Sequence, residues 1–325
     1  MTKKMTSFLA SAGLIFVTVI WGFAFVVVKD SLDSIGPVWM VAFRFSIAAF
    51  VLFFFVLKRF KNKTGRDWLN GLGTGFFLYA AYLTQTAGCK YTTAGKNAFL
   101  TTVYVMLVPI LSWPLYKKRP GWYVFVAAAM SLTGIGLLSL GNGDAGINIG
   151  DVLTLICGLF YALHILWTEK CNKEKADIIF LTFQQFLFAS VFSWITAPFL
   201  DGAFPLQSVF ETKVIGAMLY LGVLSSLVAF LLQNISLKYL PGSLASLFMS
   251  FESVFGIFFS VLFLKEAVSV KMWIGCILIF LAVVLAETRF DFIHLFMQKK
   301  EGNEKAPESN SEAKKEECSE RDFSV

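Results

Sequence analysis

Residues 85–109 read QTAGCKYTTAGKNAFLTTVYVMLVP, and the chain answers them 148 residues later with QNISLKYLPGSLASLF at 233–248. Gln85 falls on Gln233, Lys90 on Lys238 and Tyr91 on Tyr239; Ala94 then falls on Gly242 and Ala98 on Ser246. Each copy ends one apolar helix in Gln, turns at a Lys-Tyr corner and opens a second apolar helix on small residues. A polar corner between two apolar helices, present twice, points to a duplicated membrane protein.

Composition agrees. The 325 residues are 57% hydrophobic and 15% charged, with mean hydropathy +0.68, against about 25% charge in an average soluble domain. A soluble core could not hide that much apolar surface. The excess lies in blocks of about 20 residues, the length that crosses about 30 Å of hydrocarbon. Ten spans are predicted, at 8–28, 37–57, 68–88, 95–115, 121–140, 150–168, 178–199, 213–236, 243–264 and 270–287. The runs are long and do not alternate, so they predict helices rather than strands. The charged stretch 301–325 is almost free of large apolar side chains, and 291–325 is expected to be a disordered cytoplasmic tail.

Lys and Arg in the loops set the orientation. One side collects 17 of them before the tail, including Lys3, Lys4, Arg66, Lys118 and Lys175. The other side has 6: Lys29, Lys90, Lys96, Lys213, Lys265 and Lys271. Both termini are therefore expected in the cytoplasm. The apolar run after Lys3 and Lys4 continues to Val28 with no convincing cleavage site, so it reads as an uncleaved first span rather than a signal peptide.

The halves also align near their starts. With an offset of 140, Trp21 and Gly22 fall on Tyr161 and Ala162, Lys29 on Glu169, and Phe43-Arg44 on Phe183-Gln184; the offset grows to 148 after the second span. The expected repeats are 1–141 and 149–290, five spans each. An odd number of spans makes the second repeat enter the membrane from the opposite side. The fold class is thus an all-α membrane protein, ten transmembrane helices arranged as two inverted five-helix repeats. That arrangement suits alternating access.

Several chemistries are disfavoured. The five cysteines, Cys89, Cys157, Cys171, Cys276 and Cys318, are odd in number and lack CxxC spacing, so neither a disulfide framework nor a metal site is expected. The net charge of +6 is split among short loops, which suits membrane topology better than nucleic acid. The glycines at 71, 73 and 75, at 134 and 136, and at 95 follow no strand. They read as places where helices approach, not as a nucleotide loop. No cofactor is expected.

The chain resembles the ten-span EamA-type transporters of the drug/metabolite transporter superfamily. The resemblance rests on VIWGFAFV at 19–26, FRF at 43–45, TTAGKNAFLTTVYVMLVPIL at 92–111, SLASLFMSFESVFGIFFSVLFLKEAVS at 243–269 and GCILIFLAVVLAE at 275–287. It covers about residues 8–288. Two departures stand out. The family's Glu-Pro in span 9 is Glu252-Ser253 here, which predicts a straighter helix. The acidic residue after span 4 in many repeats is Lys118, with Glu266 in the matching place of the second half. The resemblance implies that spans 1, 3, 4, 6, 8 and 9 surround a central cavity and that the activity is export.

Polar groups inside spans are costly and face the bundle interior, so candidate site residues come from that short list. Glu252 is the only acidic residue deep in a span. Its carboxyl could take up and release a proton, which makes it the proton-coupling candidate; the bland alternative is a structural hydrogen bond. Asn97 reads as a cavity amide. Lys96 beside it sits where a helix N-terminus disfavours a cation. His164 could share a proton with Glu252 or be a neutral buried imidazole. Trp21, Tyr79, Tyr82, Tyr104, Trp167 and Tyr220 combine a ring with a polar tip away from the interface belts, and are set against ordinary packing aromatics. Ser246 lies near Glu252 on the helix. Arg44 reads as scaffold or as an anion site. Gln85 and Gln233 read as caps of the Lys-Tyr corner rather than pathway residues. No catalytic residue is expected.

The leading function is a secondary transporter of the cytoplasmic membrane, exporting or exchanging small organic metabolites such as amino acids, nucleosides or drug-like amphipathic compounds. Its partners are the lipid bilayer and a small-molecule substrate, with no nucleic acid, and it is a monomer or homodimer. A membrane-embedded lipid-handling enzyme would want clustered His and carboxylates, and the chain has two His in all. A sensor would want a folded output domain.

Overall fold

The computed structural model describes residues 3–116, 122–139, 147–240, 242–267 and 269–288. Those residues are almost all helical, with no strand among them. The helices are α1 (Lys3–Ser31), α2 (Pro37–Val56), α3 (Gly65–Tyr91), α4 (Ala94–Thr101), α5 (Tyr104–Tyr116), α6 (Trp122–Ser139), α7 (Ile149–Lys173), α8 (Ile178–Leu200), α9 (Thr212–Leu219), α10 (Ala229–Tyr239), α11 (Gly242–Met249), α12 (Phe251–Leu264) and α13 (Val270–Thr288). A π-helical stretch, Tyr220–Val228, joins α9 to α10. Every expected segment is helical. Six are long and apolar enough to cross a membrane: 5–31, 37–61, 94–115, 149–173, 178–200 and 212–239. The expected tail lies outside the described residues, as do Lys117 to Gly121 and Leu140 to Gly146.

The ends of the helices are set by local chemistry. Pro37 opens α2, and the Asp201 carboxylate, at the end of α8, accepts the amides of Val38 and Trp39 at 2.6 and 3.0 Å. Capping boxes start α3, Thr64 with Asp67, and α7, Asn148 with Asp151. The α3–α4 corner is not capped by Gln85, as the sequence suggested. Lys29, from the end of α1, donates to the carbonyls of Cys89 and Thr92 at 2.8 and 2.7 Å. Gln85 lies one turn deeper and donates to Thr101 Oγ1. At the other end of the same corner, Lys265 takes a left-handed conformation (φ 54°). Glu266 then turns back, and its carboxylate accepts the amides of Ala94 and Gly95 at 2.7 and 3.0 Å. An anion there meets the positive end of α4.

Two of the expected spans are interrupted. Between α4 and α5 the amides of Thr102 and Val103 bond three residues back, to Phe99 and Leu100, in place of four. The ninth segment breaks at Ser250, where the Ser253 amide and hydroxyl both reach the Ser250 carbonyl, at 3.1 and 2.8 Å. The expectation of a straighter helix without proline therefore fails in its premise: serine hydroxyls compete for the backbone as well.

Packing joins the two halves. α1 lies against α10 and α12, while α7 lies against α3 and α5; α2 and α8 pack on each other. Gly22 meets the backbone of Phe255 and Gly256, so α1 and α12 touch without side chains between them. The outer faces carry Phe50, Phe55, Phe199 and Val270, all largely exposed, as an apolar solvent would require.

Outside the apolar segments, Asp177 begins α8 by accepting the Phe180 amide. Arg59 donates to both its oxygens at 2.9 Å and Lys63 to one at 3.1 Å. Partial burial alone would raise this carboxyl; the bonds from Arg59, Lys63 and the Phe180 amide outweigh it and hold the group below the usual carboxylate range. A depressed carboxyl stabilises the fold above its unfolded value of about 3.9 and loses that contribution as pH falls through the folded value. Thermal unfolding in detergent should therefore show an acid limb below about pH 4 that Asp177→Asn removes. An unchanged limb in the variant would place the acid sensitivity elsewhere.

Candidate functional site

A cavity of about 20 Å³ sits where α1, α2, α3, α4, α7, α12 and the π-helical stretch meet. Its wall includes Trp21, Phe25, Arg44, Tyr82, Gln85, Asn97, Tyr161, Ser225 and Glu252, with Ala24, Val28, Thr86 and Cys89. That volume holds about one water, so the cavity is closed around little more than its own polar groups.

Arg44 is the residue whose place the sequence undervalued. It is 2% exposed. Its Nε donates to Ser226 Oγ at 3.0 Å and an Nη to Ser225 Oγ at 2.9 Å, and the guanidinium lies 4.3 Å from the Tyr82 ring centroid. Among the described residues it has no carboxylate within ion-pair distance. Hydroxyls and a ring face hold the charge without neutralising it. The π-helical geometry at Tyr220–Val228 serves this contact. The Ser225 carbonyl accepts the Trp21 indole N–H at 2.9 Å while the Ser225 hydroxyl meets Arg44. π-helical turns often mark functional positions.

Glu252 is buried and faces the same cavity. It likewise has no cation within ion-pair distance among the described residues. The Tyr104 hydroxyl is beside it but falls short of hydrogen-bond geometry. Asn97 donates to the Gln85 carbonyl at 3.2 Å and to Thr154 Oγ1 at 2.8 Å, leaving its own carbonyl oxygen without a protein partner. Tyr161 points its hydroxyl at Gln85 Oε1, 3.5 Å away. The wall thus offers one cation, one carboxyl, amides and aromatic rings around a single space.

Four of the ten expected site residues meet there: Trp21, Tyr82, Asn97 and Glu252. The others are not part of its wall, although Tyr104 stands beside Glu252. The Tyr79 hydroxyl donates to Thr196, and the Trp167 indole donates to the Asn70 carbonyl. Tyr220 donates to the Ile20 carbonyl at 2.7 Å and lines a separate space beside Asp30 and Lys213. Tyr104 is buried with its ring against Tyr161. His164 contacts Gln185 at 3.2 Å and packs beside the Phe230 ring. Ser246 is buried on α11. Lys96, whose place at a helix start looked unfavourable, is paired with Asp151 at 2.7 Å.

An all-helical bundle, apolar outside and closed around a small polar cavity, has the architecture of a multi-pass membrane transporter. Residues 9–140 and 148–288 each match the EamA-like transporter family, and the chain belongs to it, as an EamA-type member of the drug/metabolite transporter superfamily. An uncharacterized transporter of Archaeoglobus fulgidus is 34% identical over 282 residues, 86% of each chain. The uncharacterized transporter YoaV of Bacillus subtilis is 23% identical over 82% of this chain and 92% of its own. A solved crystal structure superposes with a TM-score of 0.64, covering 86% of this chain and 95% of that one; at 17% identity the likeness is one of fold.

Proposed function

We propose that the chain is a secondary transporter of the cytoplasmic membrane that exports or exchanges small organic metabolites by alternating access. Amino acids, nucleosides and drug-like amphipathic compounds are the candidate classes that membership of the family implies. The observation that carries this reading is the cavity itself: Arg44 and Glu252, both buried and neither ion-paired among the described residues, face one space walled by Trp21, Tyr82 and Tyr161. Charges are kept out of water at that depth only where something is gained from them.

In this reading all ten helical segments cross the membrane, both termini are cytoplasmic, and 1–141 and 149–290 are repeats of opposite orientation. The exchange of packing partners supports it. α1 meets α10 and α12 as α7 meets α3 and α5, and the pairs α4 with α7 and α11 with α1 correspond in the same way. A two-fold operation that swaps the halves preserves each of these contacts. A space of about 20 Å³ admits no metabolite, so solute reaches it only when helices on one side separate. Glu252 is the proton-coupling residue.

Reconstitution tests the reading. Proteoliposomes loaded with members of a metabolite panel should show counterflow of at least one class above empty liposomes. No solute movement for any class would remove transport as the function.

A further inference from the structure

Ten buried side-chain polar atoms among the described residues lack a protein hydrogen-bond partner, and seven of them lie on α7, α8 and α10. They include His164 Nδ1, Thr168 Oγ1, Gln184 Nε2, Gln233 Oε1 and Asn234 Oδ1. These five residues are each at most 1% exposed. Buried polar groups in helical proteins are nearly always paired, and in hydrocarbon the penalty for leaving one unpaired is higher still. Neighbouring groups show what the cluster does satisfy: Gln185 Oε1 receives His164 at 3.2 Å and Asn234 at 3.3 Å, and Asn234 also reaches Thr182.

The repeat gives these residues a second identity. At the offset of 140, His164, Thr168 and Gln184 are the counterparts of Ala24, Val28 and Arg44; at 148, Gln233 and Asn234 are the counterparts of Gln85 and Thr86. All five of those first-half residues line the central cavity. The unpartnered cluster is therefore the second half's counterpart of five positions of the cavity wall. Of the seven groups on α7, α8 and α10, these five fall on wall positions, while Asn172 and Gln185 fall on Leu32 and Phe45, which do not line the cavity.

We infer that His164, Thr168, Gln184, Gln233 and Asn234 form a second solute half-site, for neutral hydrogen-bonding groups, that opens to the opposite side of the membrane as the Arg44 cavity closes. This rests on the transport reading above. The chemistry differs between the two copies. Arg44 is matched by the neutral Gln184, and Ala24 and Val28 are matched by the polar His164 and Thr168. The first half-site offers a fixed positive charge. The second offers amide and imidazole donors and acceptors and no fixed charge. Hydroxyl and amide groups of a solute suit it, and an anionic group held at Arg44 has no cation to hold it there.

Cysteine modification from each face tests the inference on the full chain. Val28→Cys and its counterpart Thr168→Cys are made separately, with Gln233→Cys as a second reporter on the cluster. Sealed vesicles of either orientation receive a membrane-impermeant maleimide, and modification is read residue by residue by mass spectrometry, so native cysteines stay in place. Val28→Cys is expected to react from one face and both cluster reporters from the other. A half-site open in a minor state of about 1–10% should react more slowly by about that fraction. If Val28→Cys reacts while Thr168→Cys and Gln233→Cys stay unmodified from both faces, or if all three react from the same face, the second half-site is wrong and the transport reading survives. If Val28→Cys is also unreactive from both faces and no solute shows counterflow, the transport reading falls with it.

Discussion

In proteoliposomes holding a pH difference of one unit, the parent chain should concentrate its solute by up to about tenfold per proton exchanged, and Glu252→Gln should leave the two sides equal. The magnitude is thermodynamic: one pH unit is worth about 1.36 kcal/mol per proton, and no coupling mechanism exceeds it. Glu252 faces the cavity from α12, 4% exposed. Glutamine keeps nearly the same volume and can still donate and accept hydrogen bonds, but it has no titratable proton. A purely structural carboxyl would therefore be replaced without losing the accumulation. Glu252→Asp keeps the proton on a shorter arm and should retain part of the effect. Full gradient-driven accumulation by the Gln variant would assign coupling to another group. Absence of accumulation in the parent, with counterflow intact, would mean that transport is not coupled to protons.

The two Lys-Tyr corners and the ten helical segments were readable because apolar blocks and their punctuation are local features of the sequence. The lining of the cavity was only partly readable, for a physical reason. A tyrosine hydroxyl or indole N–H inside hydrocarbon needs a partner whether or not it faces a pathway. Thr196 serves Tyr79, the Asn70 carbonyl serves Trp167, and the Ile20 carbonyl serves Tyr220. Their polar tips consequently did not separate cavity residues from packing residues. Arg44 was undervalued because its partners, Ser225 and Ser226, lie in YLGVLSSLV, which reads as ordinary apolar helix. No local pattern announces its π-helical turn. The break between α4 and α5 is equally hidden. The nearest proline is Pro109, and the change of ladder falls at Thr102 and Val103, next to threonine hydroxyls that bond back to Asn97 and Phe99.

The largest loss of stability should come from Asp151→Ala. Asp151 Oδ2 lies 2.7 Å from Lys96 Nζ, and the two side chains are 1% and 9% exposed. Removing one member of a buried pair strands the other charge, at a cost of about 3–5 kcal/mol. The two members are not equivalent, however. Asp151 also accepts the Thr92 hydroxyl at 3.1 Å and the Asn148 amide at 3.1 Å, and it sits in the first turn of α7, where a negative charge is favoured. After Lys96→Met the carboxylate keeps those donors. After Asp151→Ala the ammonium keeps nothing, and α7 keeps its Asn148 cap but loses the reciprocal half of the capping box. The aspartate variant should therefore unfold at lower temperature in detergent than the lysine variant, and Lys96→Met with Asp151→Asn should recover much of the difference, because Asn removes the charge along with its partner. Equal losses for the two single variants, or a double variant as unstable as their sum, would mean the pair is not coupled as its geometry indicates. In the alternating-access cycle proposed above, the pair also has a part. It ties the start of α4, in the first half, to the start of α7, in the second. A movement that parts those helices must bring both charges to water, where an ion pair is worth about 0–1 kcal/mol. Keeping them buried favours the closed arrangement of this end of the bundle, and the single variants should shift the chain toward the form in which this end is open.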